Sequence, residues 1–333
     1  MVRHLVRILL AVVVPFVVCG CISMRSLLVG QLEQVVVEKS PRWFERNRIA
    51  LVDVDGFIGL GEETPVLWSG TTVADVREKL ERAAGDARVR AVVLRVNSPG
   101  GSAAASDIIF RDIMTFRHRS GKPVVASLMG TAASGAYYIS LAADRVVAAP
   151  TTVTGSVGVI MRFVNVEGLY GKIGLRSEVI KSGEKKDIGS STRSLTAEER
   201  EILQGVNKAL FDRFLSAMQR QRPQMTEQDV ATISDGRILT ADQALELHMI
   251  DQIGYLDDAV AAAQELANIR SADVILYRAF PQYNANIYAS AGGTPPQAGE
   301  RQSLPALRAF EQGLEELLRG RGPMFLYLWS PGL

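Results

Sequence analysis

Cysteine is almost missing from this chain: only Cys19 and Cys21 occur, both close to the start. A chain cut at Cys21 keeps no second cysteine, which excludes an intrachain disulfide and a cysteine-based metal site. Core burial alone must then stabilise the fold. Histidine is scarce as well. His4 lies in the leader, His118 stands in the basic turn Phe116-Arg-His-Arg-Ser120, and His248 comes late in a helical stretch. A Ser-His-Asp triad is therefore poorly supplied. Neither sign of charge dominates, with 37 Lys and Arg against 36 Asp and Glu. Such balance leaves no electrostatic footprint for nucleic acid. The apolar run Ile8–Val18 is shorter than the roughly 20 residues that span a bilayer, and Arg25 stops its extension. No internal repeat is present.

The first residues do carry a pattern. Arg3 and Arg7 precede the apolar run, and small residues follow it, which is the order of a secretory leader. Its end, Val18-Cys19-Gly20-Cys21, resembles the lipobox of bacterial lipoproteins, with Cys19 unusual at its place. That resemblance implies lipid attachment at Cys21, and a diacylglyceryl group supplies enough acyl chain for stable anchoring. An uncleaved signal anchor is the alternative.

From Arg48 onward strands and helices alternate. Ile49–Val54, Ala91–Val96, Pro123–Leu128 and Arg145–Ala148 read as strands, with Val157–Ile160 as a further one. Val73, Val76, Leu80 and Ala83 recur at helical spacing, and Thr196-Ala-Glu-Glu199 and Thr240-Ala-Asp-Gln243 are capping boxes that open helices. Val274–Tyr277 reads as a last strand. This alternation predicts α/β layers. Residues 281–303 are rich in Pro, Gly, Gln, Asn and Ser and read as a flexible linker, followed by an amphipathic helix over Leu307–Leu318 and an apolar end.

Three stretches could carry chemistry. In Gly130-Thr-Ala-Ala-Ser-Gly-Ala136 small residues crowd Ser134. The ordinary explanation is close helix packing, with the hydroxyl bonded back one turn. The other is a nucleophile that needs room around it. Asn97-Ser-Pro-Gly-Gly101 suits an oxyanion site, because Gly100 and Gly101 can turn backbone N–H groups toward a ligand; an ordinary strand-to-helix turn fits it equally. Lys181-Ser-Gly-Glu-Lys-Lys-Asp-Ile-Gly-Ser190 offers three lysines, either as a solvated loop or as a source of a general base. A lysine base needs its pKa lowered from about 10.4 to roughly 7–8, which costs about 4 kcal/mol and requires burial.

Together, Arg95–Ser102, Gly130–Ser140, Thr154–Ile160 and Lys181–Ser190 resemble, in order, the motifs of the signal peptide peptidase A family of serine proteases. Ser234–Asp251 is similar to that family's late motif, except that Leu247-His248-Met249 stands where leucine-glycine-leucine is usual. The resemblance covers roughly residues 48–278. It implies an α/β crotonase (ClpP-like) fold of stacked ββα units, in the short form of the family. By motif position it implies Ser134 as nucleophile, Lys186 as general base, Gly100 and Gly101 as oxyanion hole, and Ser156 as the residue orienting the lysine. Lys185 falls at a place often filled by other residues.

The expected organisation is a lipoprotein-type leader over 1–21, a membrane-proximal linker over 22–47, a peptidase domain over 48–280, and a linker with a C-terminal helix over 281–333. The expected activity is membrane-tethered endopeptidase action on cleaved signal peptides or similar apolar segments. It is expected on the extracytoplasmic side of a bacterial envelope, in a ring of like subunits, with no cofactor and no metal. A crotonase-type acyl-CoA enzyme and a silent membrane scaffold are the alternatives.

Overall fold

Apolar runs separated by helical periods build a largely parallel sheet covered on both sides. The computed structural model describes residues 32–61, 70–279 and 325–329. In chain order these form β1 (Leu32–Glu38), β2 (Arg48–Gly59), β3 (Gly70–Thr72), α1 (Val73–Gly85), β4 (Val89–Ser102), α2 (Ala103–Ser120), β5 (Val124–Ala133) and α3 (Gly135–Ser140). Next come β6 (Arg145–Ala148), β7 (Val153–Gly155), β8 (Ile160–Met161), α4 (Glu167–Lys172), α5 (Ala197–Gln221), α6 (Glu227–Ile233) and β9 (Ile238–Thr240). Then follow α7 (Ala241–Glu246), β10 (Gln252–Ile253), α8 (Leu256–Leu266), β11 (Asp273–Ala279) and β12 (Phe325–Leu328).

The main sheet runs β1-β11-β2-β4-β5-β6-β10. From β11 to β10 neighbours are parallel, and β1 closes one edge antiparallel against β11. The central strands are apolar on both faces, as a sheet covered on both sides demands. Ala50, Val52, Val92 and Leu94 share one core with Val76, Leu80, Ile109 and Ile113 of α1 and α2. Ile49, Leu51, Ala91 and Val93 share the other with Leu256, Ala259 and Ala263 of α8. Each large apolar side chain so buried contributes about 1.5–3 kcal/mol, so the described residues, which contain no cysteine, have the core they need.

The expected α/β layering is present, and the capping boxes at Thr196 and Thr240 form as read. Three details differ. Leu32–Glu38, inside the expected linker over 22–47, is a sheet strand, because Gln34, Val35 and Val36 find antiparallel partners on β11. The expected strand Val157–Ile160 is replaced by β7 and β8, since Gly155 and Ser156 both take positive φ and break the extended run. Within 281–333, residues 325–328 form a strand rather than linker or helix. The leader with His4, Cys19 and Cys21, the linker over 281–303 and the helix over 307–318 lie outside the described residues.

Candidate active site

Strands β4 and β5 end side by side, with Ser98 opposite Ala132, and β7 lies next to β5 with Ala133 opposite Gly155. Gly100, Gly101, Ser134 and Ser156 are thereby gathered where the parallel strands finish, the usual ligand end of such a sheet. Lys186 is exposed, and no hydrogen bond among the described residues ties it to these four.

Ser134 joins β5 to α3 with φ 54° and ψ −115°. L-residues rarely occupy that region, and a serine held there sits on a sharp strand-to-helix elbow. The elbow is fixed from both sides. The Ser134 N–H donates to the Gly155 carbonyl at 2.8 Å, and its carbonyl accepts from the Tyr138 N–H at 2.9 Å. Its hydroxyl makes no cap to α3. By contrast Ser140, in the same helix, donates back to the Ala136 carbonyl at 2.8 Å. The bland explanation for a helical serine therefore describes Ser140, while among the described residues the Ser134 hydroxyl caps nothing. Ser134 is 1% exposed.

The glycine turn is packed against neighbouring backbone. Gly100 has φ 103°, and a Cβ there would stand 2.0 Å from the Tyr327 carbonyl oxygen. A Cβ on Gly101 would stand 2.2 Å from the Ile58 carbonyl oxygen, and one on Gly135 would stand 3.0 Å from that of Tyr327. Only glycine fits the first two positions. The Gly100 N–H donates to Ser98 Oγ at 3.0 Å, while Ser98 Oγ donates to the Gly56 carbonyl at 2.5 Å. Ser156 is buried at φ 51°, its N–H donating to the Arg237 carbonyl at 2.7 Å.

The lysine stretch divides by partner. Lys181 pairs with Asp187 at 2.6 Å and Lys185 with Glu198 at 2.5 Å. Lys186 is exposed and forms no ion pair among the described residues. Arg193, which sequence reasoning missed, ties the loop down. Its guanidinium grips Asp187 at 2.8 Å and Glu199 at 2.5 Å, linking the residue after Lys186 to the capping box of α5. That guanidinium, aided by the Thr196 N–H, pulls the Glu199 carboxyl down to about 2. Arg193 and Lys181 likewise hold the Asp187 carboxyl well below the ordinary aspartate range. The acid of the capping box at Thr196 was the one signal that a cation should lie near.

His248 has φ 58° and is exposed, so the histidine that replaces the family's glycine sits in the backbone region glycine favours. It faces Asp229 at 3.3 Å, far in sequence from the serine elbow. His118 is at the exposed end of α2. Among the described residues no three His, Cys, Asp or Glu side chains cluster as metal ligands would. No described helix is long and apolar enough to cross a membrane.

An α/β sheet with a strained serine at its ligand end defines a class, and comparison gives the family. The model of "Peptidase family S49" matches residues 117–270. Protease 4 of Salmonella typhi is 37% identical over 233 residues, covering 70% of this chain and 37% of that protein. A Synechocystis protein named as a protease is 36% identical over 224 residues, covering 67% of this chain and 76% of its own length. The chain belongs to peptidase family S49, and the motif resemblance is borne out. It spans only 37% and 35% of the Protease 4 chains of Salmonella typhi and Haemophilus influenzae. Solved structures similar in outline include the 1510-N membrane-bound stomatin-specific protease with a substrate peptide, at 16% identity and TM-score 0.42, covering 72% of this chain and 95% of that one. ClpP1 of Listeria monocytogenes has 16% identity and TM-score 0.40, covering 62% and 94%. The crotonase (ClpP-like) fold is what the motif resemblance implies, and the α/β layers are what the chain shows.

Proposed function

We propose that this chain is a membrane-tethered serine endopeptidase that cuts cleaved signal peptides or similar apolar segments, with Ser134 as nucleophile and Lys186 of a neighbouring copy as general base. The observation that carries it is the Ser134 elbow: a buried hydroxyl that makes no cap among the described residues, at a backbone angle that has to be held against its preference. Ser134 Oγ attacks the peptide carbonyl, the lysine takes the hydroxyl proton, and the same lysine protonates the leaving amine. Water then hydrolyses the acyl-enzyme by the reverse proton path. The glycine turn offers backbone donors to the oxyanion, the Gly101 N–H directly and the Gly100 N–H once it leaves Ser98 Oγ, and Ser156, next to the Ser134 elbow, orients the lysine.

Sharing between copies is supported by the segment that carries Lys186. Its Val164, Ile173, Leu175, Val179 and Ile180 are all more than half exposed, and α4 has no buried residue. Apolar groups held in water call for a partner. A head-to-tail ring would cover them and bring the lysine into a dry cleft, where the neutral amine is favoured. The peptidase domain is assigned to 48–280, extended by β1 and β12, with anchoring through lipid on Cys21. The test is peptide release from synthetic signal peptides by the full chain. Ser134→Ala and Lys186→Ala chains should each be inactive, and co-refolded mixtures should recover part of the activity. A Ser134→Ala chain as active as the parent would overturn the reading.

A further inference from the structure

The end of the sheet opposite the serine elbow carries a patch that the peptidase reading does not use. Strands β2, β4, β5 and β6 are parallel and all begin there, at Arg48, Val89, Val124 and Arg145. The turn that enters β2 presents Trp43 and Phe44, which are 90% and 88% exposed, with ring centroids 6.1 Å apart. That turn is pinned on both sides of the two rings. The Ser40 N–H donates to Asp273 Oδ1 at 2.8 Å, and the Arg42 N–H donates to Ser40 Oγ at 3.1 Å. Glu45 turns back on the fold, accepting from the Ser271 hydroxyl and, at 2.8 Å, from the Arg46 and Asn47 N–H groups. The Asp273 N–H donates to the Asn47 carbonyl at 2.9 Å. A braced turn thus holds two large aromatic side chains in water, and apolar surface so held marks a contact.

The charges around the rings give that contact its sign. The chain as a whole is nearly balanced. At this end the guanidinium groups of Arg42, Arg46, Arg90, Arg119 and Arg270 are exposed and form no ion pair among the described residues. The neighbouring acids are engaged within the fold. Asp86 pairs with Arg48 and Arg88, both at 3.2 Å. Asp144 pairs with Arg117 and accepts from the Val124 N–H at 2.8 Å, while Glu45 and Asp273 brace the turn. Lys122 is engaged too, donating to the carbonyls of Ala83, Ala84 and Asp86, as a cation at a helix end ordinarily does. Glu38 is exposed here beside Lys39. Exposed arginines around Trp and Phe fit a lipid surface, with the rings at the membrane–water boundary and the cations on anionic headgroups. A second copy docked through the same end would set like charges together.

We infer that this end of the sheet, with Trp43 and Phe44 at its tip, docks on a bilayer that contains anionic phospholipid. The inference stands apart from the peptidase reading and from lipid on Cys21, and it is compatible with both. Strand β1 runs antiparallel to β11 and so starts at the serine end. The chain from Cys21 to Leu32 extends to about 36 Å, longer than the roughly 24 Å of β1, so it can reach the same bilayer. Ser134 lies about 30 Å from the docked end, beyond the ten residues of β5.

The experiment uses the full chain with Trp68→Phe and Trp329→Phe, which leaves Trp43 as the one emitter of the three tryptophans. It is bound to phosphatidylcholine vesicles with or without phosphatidylglycerol, some of them with brominated acyl chains. Trp43 emission should shift to the blue and be quenched by bromine at least about twofold on the anionic vesicles, and do neither on the neutral ones. Replacing Arg42, Arg46 and Arg270 together with glutamine should remove most of that quenching, since each cation near an anionic surface counts about fivefold in partition. The same triple variant should cleave soluble peptides as the parent does. Trp43 emission that is equal on the two kinds of vesicle overturns the inference. A blue shift that grows with protein concentration in the absence of vesicles assigns the rings to a contact between copies and overturns it as well. If the single-tryptophan chain does not fold, hydrogen exchange over residues 42–47 of the unaltered chain decides: slower on anionic than on neutral vesicles supports, equal overturns. Absence of peptide cleavage by every chain sinks the peptidase reading alone, because the vesicle readings do not depend on it.

Discussion

Replacing Ser134 with glycine should make the protein more stable and wholly inactive. At φ 54° and ψ −115° the serine backbone stores about 1–3 kcal/mol, the range for residues held in sparsely populated regions. Glycine enters that region freely but is more disordered when unfolded, which returns about 0.5–1 kcal/mol. The net gain is about 1 kcal/mol. For a domain of this size that raises Tm by about 2–4 °C. Ser134→Ala keeps the strained backbone, and the hydroxyl it removes caps nothing, so its stability should stay within about 0.5 kcal/mol of the parent. Thermal melts of the three chains at one concentration and pH provide the assay, with peptide release measured alongside. If Ser134→Gly melts no higher than Ser134→Ala, the elbow is not strained, and the argument that its geometry serves chemistry loses its basis.

His248→Gly should also gain stability, because His248 holds φ 58° at the end of α7, but peptidase activity should not change; a loss of activity would mean that the late motif reaches the site. Lys185→Ala should keep most activity whereas Lys186→Ala should lose it, since Lys185 is engaged with Glu198; the opposite outcome in a peptide-release assay moves the base by one residue. Arg193→Ala should leave global Tm nearly unchanged while lowering kcat and speeding hydrogen exchange over residues 181–195, because the clamp on Asp187 and Glu199 is gone. In the parent, Glu199 has its carboxyl depressed from 4.5 to about 2. Its contribution is therefore complete above pH about 4.5 and is lost as pH falls toward 2, so exchange in this segment should begin to rise within that window.

Much of the parallel core was legible because strands covered on both faces are continuous apolar runs, as in Ile49–Val54 and Ala91–Val96. The capping boxes were legible because their chemistry is local. β1 and β12 were not. Leu32–Glu38 and Phe325–Leu328 are short, and what makes them strands is the partner each meets far away in the chain. Sequence brought Gly100, Gly101, Ser134 and Ser156 to attention, and their juxtaposition follows from adjacent parallel strands ending together. Motif order could not reveal that Lys186 is exposed and without an ion pair among the described residues, nor that Arg193 anchors its loop, since both depend on which carboxylates the fold leaves within reach.

The most direct measurement is the site and rate of covalent modification by a fluorophosphonate, read by mass spectrometry on the intact protein. The reading predicts one adduct per chain on the peptide containing Ser134, slowed at least about a hundredfold, the scale of a lost general base, when Lys186 is alanine and abolished when Ser134 is alanine. An adduct on another residue, or labelling of Ser134 that proceeds equally fast without Lys186, would contradict it.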